Sequence, residues 1–150
     1  MPAAITIRPL SPEDAAAVAA LSSDLGYPAD PAAMEGRLAA LLGGTGHALF
    51  GAEATDGTLL GWVHVCARLL LIDPRSAFVE GLVVAEGARR RGVGRALMAA
   101  AEGWARRRGA ESIRLRSGAT RADAHAFYRA LGYRDGKAAL GFEKALAPEG

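Results

Sequence analysis

The sequence predicts a mixed α/β domain in which helices pack on a largely antiparallel sheet. Three observations predict it. The apolar residues switch along the chain between a spacing of two and a spacing of 3.6. Two strong helix starts, Ser11-Pro12-Glu13-Asp14 and Asp30-Pro31, come directly after one short strand-like segment. A β-branched run from Ala77 to Val84 then leads into the longest helical pattern in the chain. At 150 residues the chain is expected to form a single domain, 1–150. A chain this long buries about 70% of its unfolded surface, enough for a core without disulfide or metal staples.

Each element has a local reason. Ile5 to Arg8 begins a first strand. Ser11 caps the next helix, Pro12 starts it, and Val18, Leu21 and Leu25 give it an apolar stripe that ends at Gly26. Met34, Leu38, Leu41 and Leu42 stripe the second helix, which Gly43-Gly44 stops. His47 to Ala54 and Leu59 to Leu70 read as strands around the Asp56-Gly57 turn. The second of these carries Val63 and Val65 on one face and Trp62, His64 and Cys66 on the other. Gly81 lies inside the Ala77–Val84 strand, which signals a bulge or a close backbone approach. Val93, Leu97, Ala101 and Trp104 line a helix that runs to about Arg108. Ser112 to Arg116 is a short strand, Ala124, Phe127, Tyr128 and Leu131 line a short helix, and Lys137 to Ala145 is expected to be a last strand.

Composition excludes several classes. With 51% hydrophobic and 23% charged residues the chain is not of the disordered type. No apolar run approaches the roughly 18 residues of a membrane span, and the first ten residues lack the pattern of a signal peptide. Cys66 is the only cysteine, so neither a disulfide framework nor a zinc site is expected, and a reduced, cytoplasmic setting is. The net charge of +2 conceals an asymmetry. Residues 1–88 hold 4 basic and 10 acidic residues, a net of −6, and residues 89–150 hold 14 basic and 6 acidic, a net of +8. One part suits a cation and the other an anion.

The chemistry is expected in the segment that leaves the Ala77–Val84 strand and enters the helix after it. Gly92 and Gly94 remove side chains at the turn, so that successive backbone N–H groups can face one ligand. The helix N-terminus adds about half a positive charge, and Arg89, Arg90, Arg91 and Arg95 add four more. A pyrophosphate fits such a site. A Walker loop is excluded, since no Lys-Ser or Lys-Thr occurs. A dinucleotide fingerprint is a poor fit, since Leu97 stands where its third glycine would.

Leu82-Val83-Val84 followed by Arg89-x-x-Gly92-x-Gly94, and then Ala124-x-x-Phe127-Tyr128-x-x-Leu131-Gly132-Tyr133 about 30 residues on, resembles the two motifs of the GNAT superfamily of acyl-CoA-dependent N-acyltransferases. The element order agrees with that family over nearly the whole chain. The resemblance implies a GNAT-type sheet splayed between strands 4 and 5 and an acetyl-CoA co-substrate, with no metal. Its pantetheine arm would pair with the backbone of Leu82, Val83 and Val84, and an N–H near Val83 would polarise the thioester. Its phosphates would be held by Arg89, Arg90, Arg91, Gly92, Val93, Gly94 and Arg95. Many relatives carry an asparagine where this chain has Arg121, so Arg121 is expected as a substitute phosphate contact.

The resemblance also implies a base and an acid. Glu80 stands mid-strand in an apolar run, where burial would raise its pKa toward a useful value. It is the candidate base, directly or through a water, and the alternative is a carboxylate facing solvent or paired with an arginine. Tyr128 is the candidate acid for the thiolate, and the alternative is a core tyrosine beside Phe127. His64 either lines the acceptor pocket or is a half-exposed strand residue. His125 reads as an exposed helix histidine and Tyr133 as a turn residue. Cys66 has no activating neighbour at a suitable spacing and is not expected to carry an acyl group. The acidic first half favours a cationic small-molecule amine as acceptor: a polyamine, an aminoglycoside or an amino-acid derivative. A protein lysine or N-terminus is the nearest rival, and a non-catalytic CoA-binding module another. Nucleic-acid binding is disfavoured, because no aromatic residues interleave with the arginines. No membrane partner is expected, and a homodimer would be in keeping with small relatives.

Overall fold

The computed structural model of the chain describes residues 4–24, 26–72, 75–117 and 121–149. The chain divides into two compact units, residues 1–116 and 117–150. The first contains a five-stranded sheet in the order β1-β2-β3-β4-β5: Ile5–Pro9, His47–Ala54, Leu59–Arg68, Ser76–Val84 and Ser112–Arg114. All neighbours are antiparallel except β4 and β5, which run parallel. Three α-helices belong to this unit: α1 (Ala15–Asp24), α2 (Pro31–Leu42) and α3 (Val93–Arg107).

The local signals act as their chemistry requires. The Asp14 carboxylate accepts the Ser11 amide at 2.8 Å, and the Asp30 carboxylate accepts the Ala33 amide at 3.1 Å, which start the two helices. Asp14 also takes two hydrogen bonds from the Arg8 guanidinium, at 2.8 and 2.9 Å. Those bonds, with the Ser11 amide, hold its carboxyl below the usual carboxylate range against the opposing effect of burial.

The two sheet faces differ. Gly61, Val63 and Val65 of β3 face α3, whose Val93, Leu97, Met98 and Ala101 are fully buried. Trp104, expected on that buried stripe, is only half-buried with the Arg108 guanidinium over its ring, and Ala105 is buried one residue later. On the opposite face Leu49, Leu59 and Val83 form a core with Val18 and Leu21 of α1 and Leu38 of α2. Trp62, His64 and Cys66 also point to this face, as their alternation with the valines predicts.

Two register details matter later. Between β3 and β4, His64 lies opposite Gly81 and Val65 opposite Val79, so Glu80 is the extra residue of a bulge. Gly81 also fulfils the second reading of a strand glycine: a side chain there would meet the Trp62 ring at 3.0 Å. β5 pairs only with Ser76, Ala77 and Phe78, so the remaining six residues of β4 have no neighbour on that side among the described residues. The predicted opening between strands 4 and 5 is thus present.

The second unit contains α4 (Ala122–Ala130), and residues 133–149 carry no regular secondary structure. The strand expected over 137–145 is therefore absent. Alternation of Leu140 and Phe142 prepares one face of a strand, but a strand exists only where its backbone finds a partner, and both side chains are exposed.

Gly61 gives a test of the β3–β4 packing. A Cβ built there would stand 2.6 Å from the Val83 carbonyl oxygen and 3.2 Å from Leu97 Cδ1. Backbone cannot yield as a side-chain tip can, so Gly61→Ala is expected to cost about 1–3 kcal/mol. This would be read as a lower urea midpoint at unchanged slope; an unchanged midpoint would show that the two strands have slack.

Candidate functional site

The site is built at the C-terminal end of β4. Ala85 donates its amide to the Leu60 carbonyl at 2.8 Å, and Val83 and Val84 lie opposite Trp62 and Gly61. The alternation of an antiparallel ladder then directs the peptide groups of Val83 toward β3 and those of Leu82 and Val84 to the open side. An extended ligand entering the gap beside β4 meets those two residues' N–H and C=O groups as a new strand would.

Beyond β4 the chain forms a short 3₁₀ turn, Glu86–Ala88, and then the bend 89–92. Two residues of the bend are left-handed: Arg90 at φ 65° and Gly92 at φ 80°. Glycine takes that conformation freely, whereas for arginine it costs roughly 1–2 kcal/mol. Nothing lies within 4 Å of a Cβ built on Gly92, so its side chain is missing for the sake of the backbone angle and of open space above it. Gly92 is also the N-cap residue of α3 and supplies no capping side chain. Ala96 is the first amide to close a helical bond, to the Gly92 carbonyl at 3.0 Å. By helix geometry the amides of Val93, Gly94 and Arg95 therefore point out of the helix end. Arg89, Arg90, Arg91 and Arg95 are all exposed around it, and none forms an ion pair among the described residues. Outward amides, a helix dipole and four uncommitted guanidiniums fit a pyrophosphate.

Glu80 departs from expectation. It is exposed, and the Arg68 guanidinium pairs with it. The Cys66 thiol donates to the same carboxylate at 3.3 Å, and Arg68 also lies over the Phe78 ring, 4.6 Å from its centre. The burial expected of this carboxylate is absent, because the bulge turns Glu80 out of the β4 alternation toward the Trp62–Cys66 face. Arg68, at the end of β3, escaped the sequence reading. Twelve residues separate the partners, and only the register brings them together.

In the second unit Tyr128 is half-buried, its ring 5.1 Å from that of Phe127 and 5.9 Å from that of Tyr133. Burial pushes its phenol above the ordinary value, with Arg121 a smaller opposing influence. It therefore stays protonated at neutral pH. Tyr133 donates its amide to the Tyr128 carbonyl at 3.0 Å, which closes the helix end at Gly132. Arg121, the exposed N-cap residue of α4, and half-buried His125 complete the residues singled out in this unit.

The model of the GNAT acetyltransferase family matches residues 16–133. The chain belongs to that family. An aminoglycoside N(6')-acetyltransferase type 1 of Stenotrophomonas maltophilia is 34% identical over 147 residues, covering 95% of both proteins. A namesake from Klebsiella aerogenes is 36% identical over 98 residues, covering 63% of this chain and 64% of the relative. Among solved structures, the aminoglycoside N-acetyltransferase AAC(6')-Iy in complex with the bisubstrate analogue CoA-S-monomethyl-acetylneamine superposes with a TM-score of 0.83 at 21% identity. The match covers 95% of this chain and 99% of that one. The aminoglycoside 6'-N-acetyltransferase AAC(6')-Ih of Acinetobacter baumannii gives 0.82 at 20% identity, covering 96% of this chain and 100% of that one. These likenesses bear on the fold. The family assignment, with the curated relatives, makes the protein an acyl-CoA-dependent N-acetyltransferase that uses acetyl-CoA to acetylate an amine.

The bend of this acetyltransferase can be tested by its backbone. Gly92→Ala forces an alanine to φ 80° with no steric contact, and is expected to lower stability by about 1 kcal/mol. Gly87→Ala, also without contacts but lacking a positive φ, is expected to be neutral or slightly stabilising. Equal urea midpoints for the two variants would contradict this reading of Gly92.

Proposed function

We propose that this acetyltransferase transfers the acetyl group to a primary amino group of a polycationic small molecule of the aminoglycoside kind, with Glu80 as base and Tyr128 as acid. The observation that carries the substrate class is the relative 34% identical along 95% of both proteins, which is named for that activity. The net charge of −6 over residues 1–88 supports it, since an acidic surface favours a cationic acceptor over a neutral one. We propose also that both units serve one catalytic domain, a reading supported by the family match running from residue 16 to residue 133.

Acetyl-CoA supplies an acyl group activated as a thioester, with a thiolate as its leaving group. Arg89, Arg90, Arg91 and Arg95, with the amides of Val93 and Gly94 beyond Gly92, hold the pyrophosphate, and Arg121 takes a further phosphate contact. The outward peptide groups of Leu82 and Val84 align the pantetheine arm. The expected polarising amide near Val83 is then that of Leu82 or Val84, since Val83 is directed toward β3. An amide aimed at the acyl oxygen stabilises the charge that develops there without reorganising.

The acceptor arrives as an ammonium, as a lysine-like amine titrating near 10.4 does. Glu80 takes a proton from it, directly or through a water, and the Arg68 guanidinium and Cys66 thiol hold the carboxylate in place. Tyr128 gives its proton to the departing sulfur and is reprotonated by the second proton that the nitrogen sheds as the amide forms. The Tyr128 phenol, raised above its ordinary value by burial, still carries that proton throughout the neutral range.

A thiol-release assay with acetyl-CoA across an aminoglycoside, spermine and a lysine peptide tests the substrate class. The aminoglycoside is expected to exceed the peptide about 100-fold or more in kcat/KM, and a preference for the peptide would contradict the proposal. Glu80→Gln is expected to lower kcat about 100-fold at neutral pH and to recover as pH rises and the amine deprotonates, with CoA affinity unchanged. An unaltered rate removes Glu80 as base. Tyr128→Phe is expected to slow transfer by a similar factor at all pH values below the phenol's raised pKa; a wild-type rate would refute its acid role.

A further inference from the structure

The face that carries Glu80 holds a second pair of groups that the reaction as derived does not use. His64 Nε2 and His47 Nδ1 are 2.9 Å apart, and the ring centres are 5.1 Å apart with a tilt of 40°. His64 lies directly opposite Gly81, the residue next to the bulged Glu80, and His47 lies opposite Cys66, whose thiol binds Glu80. The two histidines thus border the carboxylate on the same face of β2, β3 and β4. His64 is half-buried, while His47, at the start of β2, is exposed.

We propose that His64 is an acceptor-recognition residue: its Nδ1 accepts a hydrogen bond from the incoming ammonium, and His47 sets that nitrogen's role by fixing where the His64 proton sits. This rests on the reading of the acceptor as a cationic amine. A neutral imidazole has one donor and one acceptor nitrogen. With His64 Nε2 donating to His47 Nδ1, its Nδ1 is an acceptor that meets an ammonium without charge repulsion. The surroundings keep His64 neutral: burial first, then the nearby His47 and Arg68, push it down to about 4.

The arrangement has a built-in reversal. A protonated His47 has only donors, so its Nδ1–H must donate to His64 Nε2. The single proton of His64 then moves to Nδ1, which presents an N–H to the ammonium. Amine binding therefore weakens when His47 is protonated. The other titratable or charged groups on this face are Arg8 of β1 with its partners Asp14 and, in β2, Glu53, then Cys66 and Arg68 of β3, and Glu80 of β4. The helices that cover the face contribute Val18, Leu21 and Leu38, which do not titrate.

The test uses the whole chain with neamine as the amine and acetyl-CoA as donor. His64→Phe is expected to raise the neamine KM at least about tenfold, the loss of one hydrogen bond to a charged group, with kcat changed less than twofold. His64→Gln, which restores an acceptor oxygen, is expected to return most of the loss. In the wild type the neamine KM is expected to rise on acidification, and in His47→Phe that rise is expected to vanish. CoA titration by calorimetry shows that each variant is folded. Ring-nitrogen NMR without acyl donor gives a second readout: on adding neamine the His64 Nδ1 signal is expected to shift as an acceptor. Turnover by the wild type with an unchanged KM in His64→Phe, or a fall in kcat alone, would overturn the proposal while leaving the substrate reading intact. Absence of turnover with any cationic amine, despite CoA binding, would overturn both.

Discussion

The site depends on unequal pairing of one strand. β4 is bonded to β3 along its length but to β5 over only three residues. A strand pair that continued would bury the outer edge of Leu82 and Val84 in a ladder, and no ligand could reach it. Because β5 ends at Arg114, the sheet keeps an open seam that finishes at the bend before α3. Backbone groups along the seam and amides at the helix end then form one continuous polar track. An edge of this kind is ordinarily a liability; here it is the surface we propose for the pantetheine arm.

The bend itself shows how backbone geometry and charge combine. Gly92 permits a left-handed turn at the start of α3, and Arg90 accepts the same conformation at a cost. Strain of that kind persists only where the surrounding structure imposes it, and it concentrates at functional positions. The four arginines supply charge without being committed to carboxylates. The buried side of α3, with Leu97 and Met98 fully enclosed, anchors the helix whose N-terminal end is the proposed phosphate site. Packing and binding are thus divided along one element.

Much of this was legible in the sequence for identifiable reasons. Period-two and period-3.6 patterns located β2 to β4 and α3 almost to the residue, and the glycines and arginines of 89–95 carried their meaning locally. What was not legible depends on distant partners. Gly81 signals the β4 bulge, but no local pattern announces the β3–β4 register that turns Glu80 out toward Arg68. The His47–His64 contact joins two strands diagonally, across residues whose own neighbours give no hint of it. The expected strand at 137–145 failed for the converse reason: alternation describes a face, while pairing requires a second backbone. Trp104 failed more mildly, since helical spacing cannot say which of two adjacent positions the sheet will cover.

The most direct test of the account is a calorimetric titration of the protein with coenzyme A at several salt concentrations. The account predicts one-site heat whose affinity falls steadily as salt rises, because guanidiniums and helix-end amides hold the phosphates. No heat at millimolar coenzyme A, or an affinity that salt does not touch, would contradict the placement of the diphosphate at the 89–95 bend.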